Sequence, residues 1–445
     1  MNVAIIGGGL AGLTTGYELA KVGHQVTILE KRSTCGGQVG TFTVGGGRLE
    51  VFYHHIFWGD GEVIRLASEF GLADRLQWLD SRVGFYHRGK IYNFVTPLDL
   101  LRFRPVSLLD RLRLGLVGMY LRRYRDWQRL EGLTAREWII RWAGRRNYEV
   151  VWGPLLRGKF GEMADQVSMV WFWGKIHQRF ASRGRLGQRE KLGYLRGSFG
   201  LMVDALVERI QRIGGHVLTA SPAARIRVEG GRAVGVDVVG QGMITADRVI
   251  ATVPSSTLLG LAPEISGDYR RLLEKARYQW AACLVLAISQ PISPIYWLNI
   301  SDPSIPFVAA IEHTNFISPA EYGGKHVLYL TNYVAPESPL TTASAKEVLK
   351  LYLPHLKKIN PSFQERWVQE YHLFRDPAGQ PMVGVNYSSN IPAYRTPIAG
   401  LYLANTTQIY PQDRGMNYSL RLGLAVARAV LGDMGREGGG RADGQ

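Results

Sequence analysis

Apolar positions at the start of the chain change period twice before residue 30. Val3-Ala4-Ile5-Ile6 is an unbroken apolar run, as a strand buried on both faces requires. Leu13, Tyr17, Leu19 and Ala20 follow at helical spacing, and Gly23-His24 stops them. Val26 to Leu29 is a second apolar strand, and it ends on Glu30. The pattern predicts strand, helix, parallel strand.

Further along, the same reading predicts a hairpin over 41–49, a helix over 62–70 closed by Gly71, and a hairpin over 83–92 turning at 87–90. Thr134 and Glu137 have the spacing of a capping box, and 152–161 reads as helical. A loop is expected over 182–200, a helix over 201–213, and strands at 216–219, 225–228, 234–239 and 247–253. Strands at 278–286, 308–312 and 327–333 and a helix over 343–356 come next. Leu401 to Asn405 reads as the last strand, with a helix through Leu420, Leu424, Val426 and Val430 and a Gly-rich, disordered tail over 435–445.

The glycines between the first strand and helix change what this pattern means. Gly7-Gly8-Gly9-Leu10-Ala11-Gly12 joins them. Gly7 permits the tight turn, Gly9 lets backbone approach a pyrophosphate, and Gly12 lets the helix lie close to the sheet. The helix start, with Leu10 and Ala11, presents N–H groups and partial positive charge to phosphates. Glu30, followed by Lys31, lies about 20 residues on, where an acid meets ribose hydroxyls. Together these predict a dinucleotide site.

A second glycine turn, Gly36-Gly37-Gln38-Val39, follows soon after the acid. It resembles the GG motif of the FAD-dependent amine oxidase, phytoene desaturase and protoporphyrinogen oxidase superfamily. The run Glu50 to Phe57, with His54 and His55, resembles the stretch that passes beside the flavin there, most closely as in UDP-galactopyranose mutase. Trp58 stands where that enzyme has another His. Ala224 matches the position whose backbone brackets adenine. Asp413, Gly415 and Met416 match the closing FAD motif, while Ala404-Asn405 departs from its usual Gly-Asp.

The resemblance implies an α/β protein: a Rossmann-type, glutathione-reductase-like FAD-binding domain interleaved with an α+β substrate domain carrying a mixed sheet and a helical subdomain. The expected FAD domain comprises 1–80, 195–265 and 395–434; the substrate domain comprises 81–194 and 266–394. Cofactor contacts are expected from Gly7, Gly9, Leu10, Ala11, Gly12, Glu30, Lys31, Gly36, Gly37, Gln38, Val39, Ala224, Asn405, Asp413, Gly415 and Met416. His55, Tyr333 and Glu312, with His313 beside it, are the candidates to face the flavin ring. Arg157 and Lys159 are candidates to meet an anionic group of the substrate.

Composition narrows this further. The chain has 445 residues, is 46% hydrophobic and has two cysteines, Cys35 and Cys283. That predicts large cores, no disulfide framework and no metal site. No apolar run is long enough to span a bilayer. The chain opens on its first strand, so no secretory leader and a cytoplasmic protein are expected. The net charge of +16 points to an anionic partner, and no nucleic-acid motif accompanies it. Eight arginines and three aspartates interleave with leucines over residues 97–129. Such a segment can lie on an anionic bilayer, at the inner face of the membrane.

The expected activity is oxidation of a hydrophobic, membrane-soluble small molecule such as an isoprenoid or tetrapyrrole. Hydride passes to flavin N5, and a quinone or oxygen reoxidises the flavin. A mutase-like isomerase that uses reduced FAD on a nucleotide sugar, a flavin amine oxidase and a flavin-bearing escort protein remain open.

Overall fold

The computed structural model describes residues 1–181 and 190–439. Five strands pair in parallel in the spatial order Leu401–Leu403, Arg248–Ala251, Asn2–Ile6, Gln25–Leu29, His216–Leu218. Side chains alternate across the sheet, so both faces need cover. Val3, Ile5, Val26 and Ile28 join one core with helix α1 (Leu10–Lys21). Ala4, Ile6, Leu29 and Val249 join a second core with Ile226 and Val236 of a three-stranded antiparallel sheet. This double burial is why the strands read as unbroken apolar runs; each aliphatic chain gains about 1.5–3 kcal/mol from leaving water.

A mixed seven-stranded sheet runs Val368–Pro381, Tyr278–Ile288, His326–Val334, Ala309–Glu312, Trp297–Ile300, Val83–His87, Lys90–Asn93. Beside it lies a helical region. Its helices α2 (Pro97–Arg102), α3 (Leu108–Arg123), α4 (Gly153–Phe160) and α5 (Met169–Ala181) bury Leu121, Leu156, Phe160 and Phe172. The expected capping box forms: Glu137 N donates to Thr134 Oγ1 at 3.1 Å. Among the described residues no helix is long and apolar enough to cross a membrane.

The last helix, α6 (Met416–Gly439), returns to the first. Thr15 Oγ1 donates to Gly423 O at 3.1 Å, and a Cβ on Gly423 would stand 2.6 Å from Ala11 O. Glycine at 423 lets the two helices touch backbone to backbone.

Several segments differ from expectation. Lys191–Leu195, placed in a loop, is a strand paired with Leu76–Asp80; 182–189 lie outside the described residues. Helix α6 continues to Gly439, into the stretch expected to be disordered, and 440–445 lie outside the described residues. Val368–Pro381 was not predicted: charges and Pro377 break its apolar pattern. It forms an edge of its sheet, where proline and polar side chains are tolerated.

Candidate functional site

The two N-terminal glycine turns lie side by side. Gly7 has φ +113°, and a Cβ on Gly12 would stand 2.0 Å from Gly7 O, so the turn requires glycine at both positions. Gly36 N donates to Gly8 O at 2.8 Å, binding the second turn to the first. Glu30 is buried; Oε2 accepts from Gly8 N and Oε1 from Arg32 N, both at 2.8 Å. Each oxygen keeps a further lone pair for a hydroxyl. Lys31 is exposed beside it. Ala224 is the extra residue of a β-bulge, left outside the ladder between Ala223 and Arg225.

A pyrophosphate fits this turn on two observations. A Cβ built on Gly9 meets nothing within 4 Å, so that face opens onto empty space. The start of α1, at Leu10 and Ala11, carries neither a side-chain cap nor an acidic residue, leaving its N–H groups to an outside acceptor.

The C-terminal segment closes on the same place. Gln38 Oε1 accepts from Arg414 Nη1 at 2.9 Å, while Gln38 Nε2 donates to Ala378 O. Val39 is buried behind Gln38. Gly415 and Met416 bring the N-terminus of α6 to the wall of a cavity of about 790 Å³. Asn405 serves the fold: it accepts from Thr407 N, and its Nδ2 donates to Val253 O and Ser255 Oγ. Its side chain thus lacks the free group expected for a cofactor contact.

Asp413 also differs from expectation. Its carboxylate lies 2.6 Å from Lys159 Nζ and 2.8 Å from Lys175 Nζ, and accepts from Trp171 Nε1 and Gln380 Nε2. It lines the cavity with its oxygens already engaged by protein. Lys159 and Trp171 stand out in the sequence as residues that could line a substrate cavity, whereas Lys175, Gln380 and Arg414 were missed. The available signal was Lys175 itself, a lone charge in the apolar run Val170 to Ile176. Arg157 points elsewhere: it is exposed and does not line the cavity.

His55 and Tyr333 line the cavity; Glu312 and His313 do not. His55 Nδ1 lies 3.1 Å from Tyr296 Oη, and burial first, then Arg179, pushes its pKa down to about 3. The imidazole is neutral. His54 Nδ1 donates to Phe52 O at 2.7 Å, and burial lowers that group to about 4. Tyr333 Oη accepts from Arg414 Nη2 at 2.9 Å and stands 3.4 Å from Tyr53 Oη. Glu312 is instead buried at the end of its strand, accepting from Ile292 N and Ser293 N of an earlier segment. His313 Nε2 pairs with Tyr322 Oη. Trp58, in place of the motif His, stacks on Trp78 at 3.8 Å.

Most of the cavity wall is apolar, from Phe85, Phe94, Leu114, Leu121, Leu155 and Leu156 among others. Exposed Pro97, Met119, Arg122 and Arg123 also line it, so it reaches the surface between α2 and α3. At the other end, burial raises Asp413, but Lys159, Lys175 and Arg414 outweigh it and hold the carboxyl well below its ordinary range. Burial lowers both lysines, and the single carboxylate between them offsets this only in part.

Comparisons with known proteins agree with this architecture. The chain is 24% identical over 467 aligned positions to a 15-cis-phytoene desaturase of an Oncidium hybrid cultivar, covering 97% of this chain and 78% of that one. A putative protoporphyrinogen oxidase from Exiguobacterium sp. 255-15 superposes with a TM-score of 0.76 at 19% identity, covering 96% and 98%. Reduced UDP-galactopyranose mutase superposes with a TM-score of 0.74 at 17% identity, covering 97% and 95%. A family model for flavin containing amine oxidoreductases matches residues 10–431, nearly the whole chain. The chain therefore belongs to the flavin containing amine oxidoreductase family and is an FAD-dependent oxidoreductase.

Proposed function

We propose that this enzyme oxidises a hydrophobic small molecule of the isoprenoid or tetrapyrrole kind, drawn from a membrane surface. The observation that carries the reading is the apolar cavity that joins the start of α6 to the surface between α2 and α3. FAD, when bound, accepts the hydride removed from the substrate and passes the electrons to a quinone or oxygen. In this reading the Rossmann-type unit of 1–80, 195–265 and 395–434 holds the cofactor. Residues 81–194 and 266–394 shape the substrate cavity. The glycine turns seat the pyrophosphate, Glu30 takes the ribose, and the α6 N-terminus favours negative charge at the ring. His55, neutral and wedged among Phe57, Tyr296 and Trp297, offers a fixed polar contact to substrate or ring.

Membrane contact is supported by the exposed faces of α2 and α3. Leu108, Leu109, Leu112 and Leu116 are each at least half exposed, among arginines. The reading places the enzyme in the cytoplasm, peripheral on the inner face of the membrane. Its rival is isomerisation of a nucleotide sugar, which the His55-Ile56-Phe57 stretch favours and the apolar wall opposes. Anaerobic addition of a lipid extract to the yellow enzyme decides between them. Bleaching of the flavin band supports oxidation. Turnover only after prior dithionite reduction, with no net redox change, replaces it by isomerisation.

A further inference from the structure

The charges on the cavity wall are not those a pure hydrocarbon needs. Among the described residues, six cationic side chains line it: Arg122, Arg123, Lys159, Lys175, Arg179 and Arg414. Asp60 and Asp413 are the acids in that same lining, while Arg122 and Arg179 have further partners of their own. At the buried end, Lys159 and Lys175 share the one carboxylate of Asp413. Arg414 spends its hydrogen bonds on neutral acceptors, Gln38, Gln380 and Tyr333. Asp376 is the remaining acid in electrostatic reach of Arg414, as Asp60 is for Lys175. Burial holds Asp60 up, near pH 6, so its charge is weakly supported.

An excess of buried positive charge is costly unless an anion arrives to share it. A reduced flavin would supply one negative charge, which in the proposed arrangement the α6 N-terminus would receive. The lysines meet Asp413, just ahead of that helix start, but they reach it from elsewhere in the chain. They come from α4 and α5, the helices that also carry the apolar wall residues Leu155, Leu156 and Phe172. Cationic and apolar surfaces are thus offered together, which suits an amphipathic ligand.

Resting on the proposed oxidation of a hydrophobic substrate, we infer that the substrate carries an acidic head, a carboxylate or phosphate, which Lys159 and Lys175 receive while its apolar body fills the cavity. Lys159 also packs against the Trp171 and Tyr333 rings, 5.1 and 5.7 Å from their centroids, which fixes its ammonium at the junction of polar and apolar wall.

The test uses the oxidised, FAD-loaded enzyme and the perturbation of its flavin absorbance by dodecanoate, dodecyl phosphate and dodecanol. The acids should bind at least about tenfold more tightly than the alcohol, the worth of one charge-assisted hydrogen bond. Whichever acid binds more tightly identifies the head. Lys175→Met should bring acid and alcohol to within about twofold, the charged contact being gone. Lys175→Arg should keep the preference, which separates lost charge from a damaged fold. Equal binding of acid and alcohol by the wild type overturns the inference, as does an unchanged preference in Lys175→Met. An altered flavin potential in Lys175→Met without any acid preference assigns the charges to the reduced cofactor instead. Failure of the enzyme to bleach with any lipid substrate would sink the oxidation reading, and leaves the acid-against-alcohol comparison standing on its own result.

Discussion

Arg414 Nη1 donates to Gln38 Oε1 at 2.9 Å, joining residues 376 positions apart in the chain. The bond ties the second glycine turn to the segment that starts α6. Through it the two ends of the polypeptide close on one site. Gln38→Leu should leave this guanidinium short of an acceptor. The expected loss is about 1–3 kcal/mol of unfolding free energy, measured by denaturant titration, together with faster release of FAD.

Gly9 and Gly12 should respond differently to a single added methyl group or more. A side chain on Gly9 enters open space, so Gly9→Val should fold normally by circular dichroism and purify colourless. A Cβ on Gly12 collides with Gly7 O, so Gly12→Ala should lose about 1–3 kcal/mol of stability as well as cofactor. A yellow Gly9→Val protein would disprove the assignment of this turn.

Asp413→Asn should be severe, because it leaves Lys159 and Lys175 facing each other without a counter-charge. Breaking a buried ion pair by removing one partner costs about 3–5 kcal/mol, readable from the urea midpoint. Asp413 has a depressed folded-state pKa. Its contribution is therefore present above the ordinary carboxylate pKa and is lost as pH falls through the lower folded value. Acid unfolding of the wild type should show this loss, and Asp413→Asn should lack it.

Glu312 predicts the opposite slope. Burial raises its pKa from 4.5 to about 7, so the folded state holds the proton more tightly than the unfolded chain does. Stability from this group is full below pH 4.5 and declines as pH rises through 7. Thermal midpoints taken across that window should fall with pH in the wild type and be flatter in Glu312→Gln.

Leu109 and Leu112 on α3 should govern membrane contact. Each leucine that leaves water gains about 1.5–3 kcal/mol, so Leu109→Glu/Leu112→Glu should reduce co-sedimentation with anionic vesicles more than tenfold. Added salt should weaken wild-type binding, since the neighbouring arginines supply the long-range attraction. Vesicle binding that ignores both changes would remove α3 as the contact.

The parts of the molecule that were legible in the sequence are those where local pattern and tertiary role coincide. Val3 to Ile6 and Val26 to Leu29 are apolar because both sheet faces are covered, and the glycine turn has one geometric solution. Glu312 misled because its strand alternation is real but does not reveal which face meets the cavity. Asp413 sat at a motif position, yet its cationic partners come from α4 and α5, more than two hundred residues earlier. Long-range ion pairs leave no local period. Val368–Pro381 was hidden for a related reason: an edge strand satisfies its backbone on one side and needs no apolar alternation.

The parallel sheet takes one of its edge strands from Leu401–Leu403, and α6 is the next α-helix after it. A growing chain on the ribosome therefore carries its glycine turns, and most of its cavity wall, long before α6 is synthesised. In the proposed arrangement, where α6 completes the flavin seat, loading of the cofactor would be among the final events of biosynthesis.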